Sequence, residues 1–138
     1  MNDVVIAAEV AEQEFDRFLE LMDVDLDLAV MDAEDRTAAE KIRRLIVKQI
    51  VAGHLTVGDD GEPTYTPWRA KSTYKEPITF RERDGGTLTA QDGKKKNAEG
   101  AKTYAMMGSL TGLHPGTFSK LKGTDIKVCE SIYTLLMD

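Results

Sequence analysis

The apolar positions of the first fifty residues follow helical spacing. Between 7 and 22 they recur three or four positions apart while acidic side chains take the other side, which predicts an amphipathic helix. A second stripe, between 38 and 50, predicts another helix. Thr37 and Glu40 have the spacing of a capping box, and Gly53 suits the left-handed conformation that closes a helix. We therefore expect this second helix to begin at Thr37 and end before Gly53.

The next segments alternate with a period of two. Residues 23–32 place apolar side chains between acidic ones, which favours a strand, with an irregular helix as the alternative. Residues 54–57 and 63–66 flank a turn-rich pentapeptide that contains Asp-Gly, and this arrangement predicts a β-hairpin. Residues 78–82 alternate again and predict a third strand, with Pro77 at its start, where no ladder donor is needed.

The C-terminal third is expected to be helical after a loop. Glycine and lysine punctuate residues 84–97, which predicts a flexible loop. Asn97 is placed to cap a helix that stops at Gly112, and Pro115 opens a short helical turn. Asp125 is placed to cap a terminal helix with one apolar face.

These elements predict a single α+β domain, mainly helical, with a small antiparallel β-hairpin or sheet. A chain of 138 residues is long enough for one modest core and too short for two ordinary ones. The expected parts are an acidic helical region (1–53), the β-hairpin region (54–83), the flexible loop (84–97) and the C-terminal helices (98–138).

The net charge of −6 is unevenly distributed. Residues 1–40 hold 13 acidic and 2 basic side chains, whereas residues 41–138 hold 11 acidic and 16 basic ones. Overall acidity argues against a general nucleic-acid binder, whose affinity comes from neutralising phosphates. No apolar run approaches the roughly 18 residues of a membrane span, and the first residues lack a secretory signal. A single cysteine implies no internal disulfide, so we expect a cytoplasmic protein without membrane contact.

One acidic pattern resembles a calcium loop. Asp23, Asp25, Asp27 and Glu34 occupy positions 1, 3, 5 and 12 of an EF-hand, where oxygen ligands are needed. The sixth position requires glycine for the sharp turn, but it is Leu28 here. A degenerate EF-hand-like calcium-binding module therefore stands as one alternative.

The sequence contains no recognisable catalytic motif, and we expect neither enzymatic activity nor a cofactor. His54 and His114 are isolated from other metal-type ligands, and His114 fits a helix entry better than a base. The basic residues 94–96, with Arg81 and Arg83, offer a contact for an anionic partner; the alternative is a solvated loop.

The C-terminal part resembles a known family. The segments that carry the resemblance are 78–82 (ITFRE), 104–115 (YAMMGSLTGLHP), Phe118, Leu121 and Asp125. Residues 76–138 thereby resemble the tail assembly chaperones of long-tailed bacteriophages, in the Mu-like and P2-like group. In that group a strand precedes a helix ending in Leu-Thr-Gly-Leu, then a short turn, an Asp cap and a final helix. The family has Pro where this chain has Arg83.

The resemblance implies a non-enzymatic function in virion assembly. Such a chaperone binds the tape measure protein and keeps it soluble until tail tube subunits polymerise around it, so the implied partners are the tape measure and tail tube proteins, and self-association into a homo-oligomer is a further expectation. We expect partner contacts at apolar helix positions, namely Tyr104, Met107, Ile132 and Leu136. The alternatives are a structural virion protein and another kind of prophage protein.

Overall fold

The structure, a computed structural model, describes residues 6–84 and 99–137. It has the mainly helical α+β architecture that the sequence predicts. In chain order the elements are α1 (Ala8–Leu21), a first 3-10 helix (Leu28–Val30), α2 (Ala33–Val51), β1 (Leu55–Val57), β2 (Pro63–Tyr65), β3 (Ile78–Thr79), α3 (Glu99–Thr111), a second 3-10 helix (Pro115–Lys120) and α4 (Thr124–Met137).

Helix α1 confirms the first predicted helix and ends on an unusual residue. Its buried side is formed by Ala11, Phe15 and Phe18. Asp23 follows the helix with a φ of 56°, in the left-handed region where glycine is usual. This conformation lets the N–H of Val24 donate to the carbonyl of Leu19, five positions earlier, at 2.8 Å. An aspartate therefore performs the role that glycine performs at many helix ends.

The strand favoured for residues 23–32 is not formed. The carboxylate of Asp27 accepts a hydrogen bond from the N–H of Ala29, and this interaction starts the first 3-10 helix. The guanidinium of Arg36 donates to the carbonyls of Leu28 and Met31. Local side-chain hydrogen bonds of this kind compete with strand pairing. The irregular helix, which the sequence left as the alternative, is the closer description.

Helix α2 begins four residues before the predicted Thr37. Its cap is Asp32, whose carboxylate accepts from the N–H of Asp35 at 2.8 Å. Thr37 instead lies inside the helix and donates to the carbonyl of Ala33. Aspartate and threonine are both good caps, so the sequence pattern alone chose the wrong one. Gly53, with a φ of 83°, follows the end of the helix as predicted.

The three strands form one antiparallel sheet in the order β1-β2-β3. Leu55 lies opposite Tyr65, and Tyr65 lies opposite Ile78. These three side chains are buried on one face of the sheet. The other face carries a row of threonines, namely Thr56, Thr64 and Thr79. The predicted hairpin and third strand are confirmed, with the third strand shorter than expected.

The core lies between the buried face of the sheet and the helices. Its largest members include five aromatic side chains, which are Phe15, Phe18, Tyr65, Phe80 and Phe118. Helices α1 and α2 pack on each other and on β1, and α2 also packs on α4. Burial of these apolar surfaces is the main source of stability in a domain of this size.

Two arginines after β3 hold the ends of the last two helices. Arg81 donates to the carbonyl of Ser109 at 2.7 Å and to that of Leu110 at 3.2 Å, at the end of α3. Arg83 donates to the carbonyl of Met137 at 3.0 Å, at the end of α4. Cations are favourable at helix C-termini. Both guanidinium groups therefore make hydrogen bonds within the domain. The lysines at 94–96 lie outside the described residues.

The connection from α3 to α4 agrees with the sequence. Gly112 follows α3 with a φ of 73°, and the Nδ1 atom of His114 accepts from the N–H of Gly116 at the start of the second 3-10 helix. His114 thus belongs to a helix entry, as expected. Position 108, inside α3, requires glycine because a Cβ there would be only 2.7 Å from the carbonyl oxygen of Leu113. Asn97, the predicted cap of α3, lies outside the described residues.

Candidate protein-binding surface

Three of the four expected partner contacts are core residues. Met107, Ile132 and Leu136 are buried, and they belong to the central cluster of apolar side chains. Tyr104 is half-buried, and its ring lies 6.1 Å from that of Phe118. The folded domain therefore does not present the first three side chains to a partner. Helical periodicity identifies an apolar face, but it does not say whether the domain itself covers that face.

The four acidic residues of the calcium pattern do not converge. Asp23 closes α1, Asp27 caps the first 3-10 helix, and Glu34 lies in the first turn of α2. Within residues 6–84 and 99–137, no group of three or more His, Cys, Asp or Glu side chains is placed to hold a metal ion. The calcium-binding alternative is therefore not carried further.

Asp125 does not cap the terminal helix as the sequence predicts, because α4 already begins at Thr124. It is fully buried, inside the first turn of α4. Its Oδ1 atom accepts from the hydroxyl of Tyr65 at 2.7 Å and from the N–H of Trp68 at 3.2 Å. Its Oδ2 atom accepts from the N–H of Arg69 at 3.0 Å and from the hydroxyl of Ser72 at 2.6 Å. The carboxylate thus anchors the segment after β2 to α4.

These hydrogen bonds keep the buried carboxyl group ionised. Burial by itself raises the pKa of Asp125, but hydrogen bonds from Ser72, Tyr65, Trp68 and Arg69 together outweigh it and hold the pKa below its ordinary value. Burial also raises the pKa of Tyr65, so its hydroxyl remains a donor. A carboxylate with four donors has little acceptor capacity left, and we read the network as structural.

An exposed aromatic group is held beside this network. The side chain of Trp68 remains 42% exposed. Its indole N–H donates to the Oε1 atom of Gln49 at 3.1 Å, and the ring of His54 stacks on it at 5.0 Å. The guanidinium of Arg69 lies 5.9 Å from the ring. A rigid, half-exposed tryptophan of this kind is typical of residues that dominate protein interfaces.

An open, largely apolar groove lies between α1, the end of α2 and β1. We call it the α1–β1 groove; its volume is ≈ 400 Å³. This volume falls within the range of about 300–1,000 Å³ that is usual for binding pockets. Val10 is 43% exposed there although it is a large apolar residue. The main lining residues are Ile6, Val10, Glu14, Ile50, Leu55 and Val57.

One wall of the α1–β1 groove is the outer edge of β1, which no other strand pairs with among residues 6–84 and 99–137. The main-chain hydrogen bonds from β1 to β2 include those of His54 and Gly58, so residues of even number face β2. The N–H and C=O groups of Leu55 and Val57 therefore point to the open edge. This geometry is consistent with the carbonyl of Val57, which accepts from Arg17 of α1 at 2.8 Å. Edge groups of this kind are a template for pairing with another chain.

Arg17 covers one end of this edge. It donates to the carbonyls of Val57 and Gly58 and pairs with the carboxylate of Glu14 at 2.9 Å. The hydrogen bond from Arg17 lowers the pKa of Glu14, so this groove residue is charged at neutral pH. Neither hydrogen bond from Arg17 to this edge involves the main-chain groups of Leu55. The groove thus offers apolar contacts along its length and backbone hydrogen bonds at Leu55.

Sequence reasoning did not identify this surface. Val10 belongs to the apolar positions of the first predicted helix, yet its side chain is exposed. The predicted hairpin does contain a clue to this surface, because the first strand of a three-stranded meander has one free edge.

No protein-family profile, no curated protein and no solved structure matches the chain. The helices within residues 6–84 and 99–137 are all too short or too polar to cross a lipid bilayer. The fold and the groove define a small α+β domain with an open apolar surface.

Proposed function

We propose that the protein is a bacteriophage tail assembly chaperone that binds the tape measure protein through the α1–β1 groove. The observation that carries the proposal is this exposed apolar groove with an unpaired strand edge along one wall. An exposed strand edge beside an open apolar groove is a typical place for a partner chain to bind. The proposed activity is binding rather than catalysis, and its place is the cytoplasm of the host cell, where tails assemble.

The groove suits a client that has not yet folded. An extended apolar segment would place side chains against Ile6 and Val10 and pair its backbone with Leu55. Arg17 limits the length of edge that is available, since it already occupies the carbonyl of Val57. A short edge favours modest affinity, which would let tail tube subunits displace the chaperone.

The resemblance to tail chaperones supports the proposal from a different part of the chain. It covers residues 76–138, whereas the α1–β1 groove is formed by residues 6–57. The proposal therefore assigns client binding to the front of the chain and the family-like scaffold to its end. Within that scaffold, Arg81 joins the strand motif ITFRE to the end of α3, which gives the motif a physical role.

Co-expression with the tape measure protein encoded nearest to this gene tests the proposal. We expect the tape measure protein to be insoluble alone and soluble with the wild-type chain. Val10→Asp should abolish this effect, because a carboxylate placed in the groove opposes burial against an apolar client. Val10 is substantially exposed, so the variant should still fold.

Gln13→Asp is the matched control. It introduces the same charge at an exposed position of α1 that does not line the groove, and it should retain the chaperone effect. Unchanged tape measure solubility with the wild-type chain would overturn the proposed function. Loss of the effect in both variants would overturn the assignment to the groove.

Mass spectrometry of purified virions separates this proposal from a structural virion protein. A chaperone should be absent from finished particles, whereas a structural component should be present in a fixed stoichiometry. Finding this protein in virions in a fixed stoichiometry would identify it as a structural virion protein and would overturn the chaperone proposal.

A further inference from the structure

A second open groove runs between α2 and α4, and it shares no lining residue with the α1–β1 groove. We call it the α2–α4 groove. It consists of two depressions of ≈ 310 Å³ and ≈ 260 Å³ that meet at Ile42 and Thr134. The larger depression lies at the start of α2, beside Met31 and Asp35. The smaller depression lies further along α2, beside Leu45.

Apolar side chains follow the α2 side of this groove. The apolar residues Ala38, Ile42 and Leu45 are spaced four and three residues apart, which is the spacing of a seam between two packed helices. Ala38 is exposed, and Ile42 and Leu45 are only partly buried. Val30, just before the start of α2, is 81% exposed. Val30 is adjacent in sequence to the groove residue Met31, so this end of the groove is next to an exposed apolar residue along the chain.

The charges along the groove change sign from one end to the other. Asp35 lies in the depression at the start of α2, where Asp32 and Glu34 are also exposed. Lys41 and Lys127 line the depression at the other end, together with Glu130. A partner whose acidic and basic ends run in the opposite direction would place its acidic residues against the basic end of the groove and its basic residues against the acidic end. A second copy of this chain, rotated by a two-fold axis, has that property.

We propose that the α2–α4 groove is the interface of a homodimer in which the two α2 helices pack antiparallel. With the two-fold axis at Ala38, Asp35 of each copy faces Lys41 of the other. The same register places Met31 opposite Leu45 of the second copy. Ala38, a small exposed residue, lets the two helices approach closely on the axis. The Asp35–Lys41 ion pair and the Met31–Leu45 contact therefore each occur twice in this arrangement, whereas Ile42 lies opposite Glu34 of the second copy.

This dimer is independent of the chaperone activity, because its interface is separate from the α1–β1 groove. Sedimentation velocity of the purified full-length chain tests it directly. We expect a concentration-dependent dimer between about 1 and 500 µM protein. High salt should weaken the dimer, because its ion pairs are solvent-exposed.

A charge swap provides the decisive comparison. Asp35→Lys and Lys41→Asp each place like charges together twice in the dimer, and each should weaken dimerisation by about tenfold. The double variant, with both substitutions, restores opposite charges and should recover most of the wild-type affinity. Ala38→Glu places two carboxylates on the axis and should yield a monomer. Circular dichroism of each variant verifies that α2 is retained.

Val10→Asp is the control outside the interface, and it should dimerise like the wild type. A wild-type chain that stays monomeric throughout this concentration range would overturn the dimer proposal. A dimer whose dissociation constant is unchanged by both single charge variants and by Ala38→Glu would overturn the assigned interface. Neither result would affect the tape measure experiment, which reports on the other groove.

Discussion

The hydroxyl of Tyr65 donates a hydrogen bond of 2.7 Å to the carboxylate of Asp125, which joins the central strand to the last helix across 60 positions of sequence. Both side chains are fully buried. The contact links β2, the segment that follows it and α4 in one polar cluster. Since buried polar groups are costly when unpaired, this cluster should be a major determinant of stability.

Replacement of Asp125 should destabilise the domain strongly. Asp125→Asn places an amide NH₂ where two donors now point at a carboxylate oxygen, so some of them lose their acceptor. We expect a loss of about 3 kcal/mol in the free energy of unfolding. Urea unfolding, followed by fluorescence of Trp68 and by circular dichroism, measures it. Asp59→Asn, at an exposed position in the hairpin turn, should change stability by less than about 0.5 kcal/mol; equal effects of both variants would contradict the prediction.

The same carboxylate should contribute to acid sensitivity. Its pKa lies below the ordinary value of 3.8, so the stabilisation is present above pH 3.8 and is lost as the pH falls through the pKa of the folded state. Ser72→Ala removes a hydrogen bond that lowers this pKa. The variant should be less stable at neutral pH and should lose less stability on acidification. Unfolding free energies measured from about pH 6 to about pH 2.5 test this; parallel curves for the two proteins would exclude it.

Gly61→Ala should loosen the contact between the hairpin turn and α1. Gly61 has a φ of 89°, and a Cβ there would lie 2.4 Å from the Cβ of Leu21. Backbone strain and overpacking together predict a loss of about 2–3 kcal/mol in thermal or chemical unfolding. Gly58→Ala is the control in the same turn, because its added Cβ would meet the flexible side chain of Asp60 first, at 3.1 Å. The prediction fails if Gly58→Ala is the more damaging of the two.

Asp23→Gly should stabilise the protein. Asp23 adopts a φ of 56° at the end of α1, where glycine is less strained than any residue with a Cβ. We expect a gain of about 0.5 kcal/mol in the free energy of unfolding, after the entropy of glycine in the unfolded chain is subtracted. Asp25→Gly, at the neighbouring acidic position without a positive φ, should not stabilise. A loss of stability in Asp23→Gly would show that the carboxylate matters more than the backbone.

The sequence predicts local elements well where periodicity and turn residues agree. The amphipathic helix up to Leu21, the hairpin and the entry at His114 all depend on residues close in sequence. The period-two pattern after Asp23 failed, because hydrogen bonds from Asp27 and Arg36 stabilise a 3-10 turn instead.

The candidate site was less accessible to sequence reasoning. Met107 and Ile132 have the spacing of a binding face, but other elements of the fold cover them. Asp125 has the spacing of a cap, yet its partners are more than 50 positions away. Long-range burial and pairing are properties of the assembled fold, and a local pattern carries no information about them.

Helix α2 lines both grooves, the α2–α4 groove between Asp35 and Leu45 and the α1–β1 groove at its end, near Ile50. One helix therefore reports on two separate events. In a backbone NMR titration, dilution of the protein should shift the amide signals between Asp35 and Leu45, whereas a client peptide should shift those near Ile50. A single isotope-labelled sample would then resolve self-association and client binding along one helix.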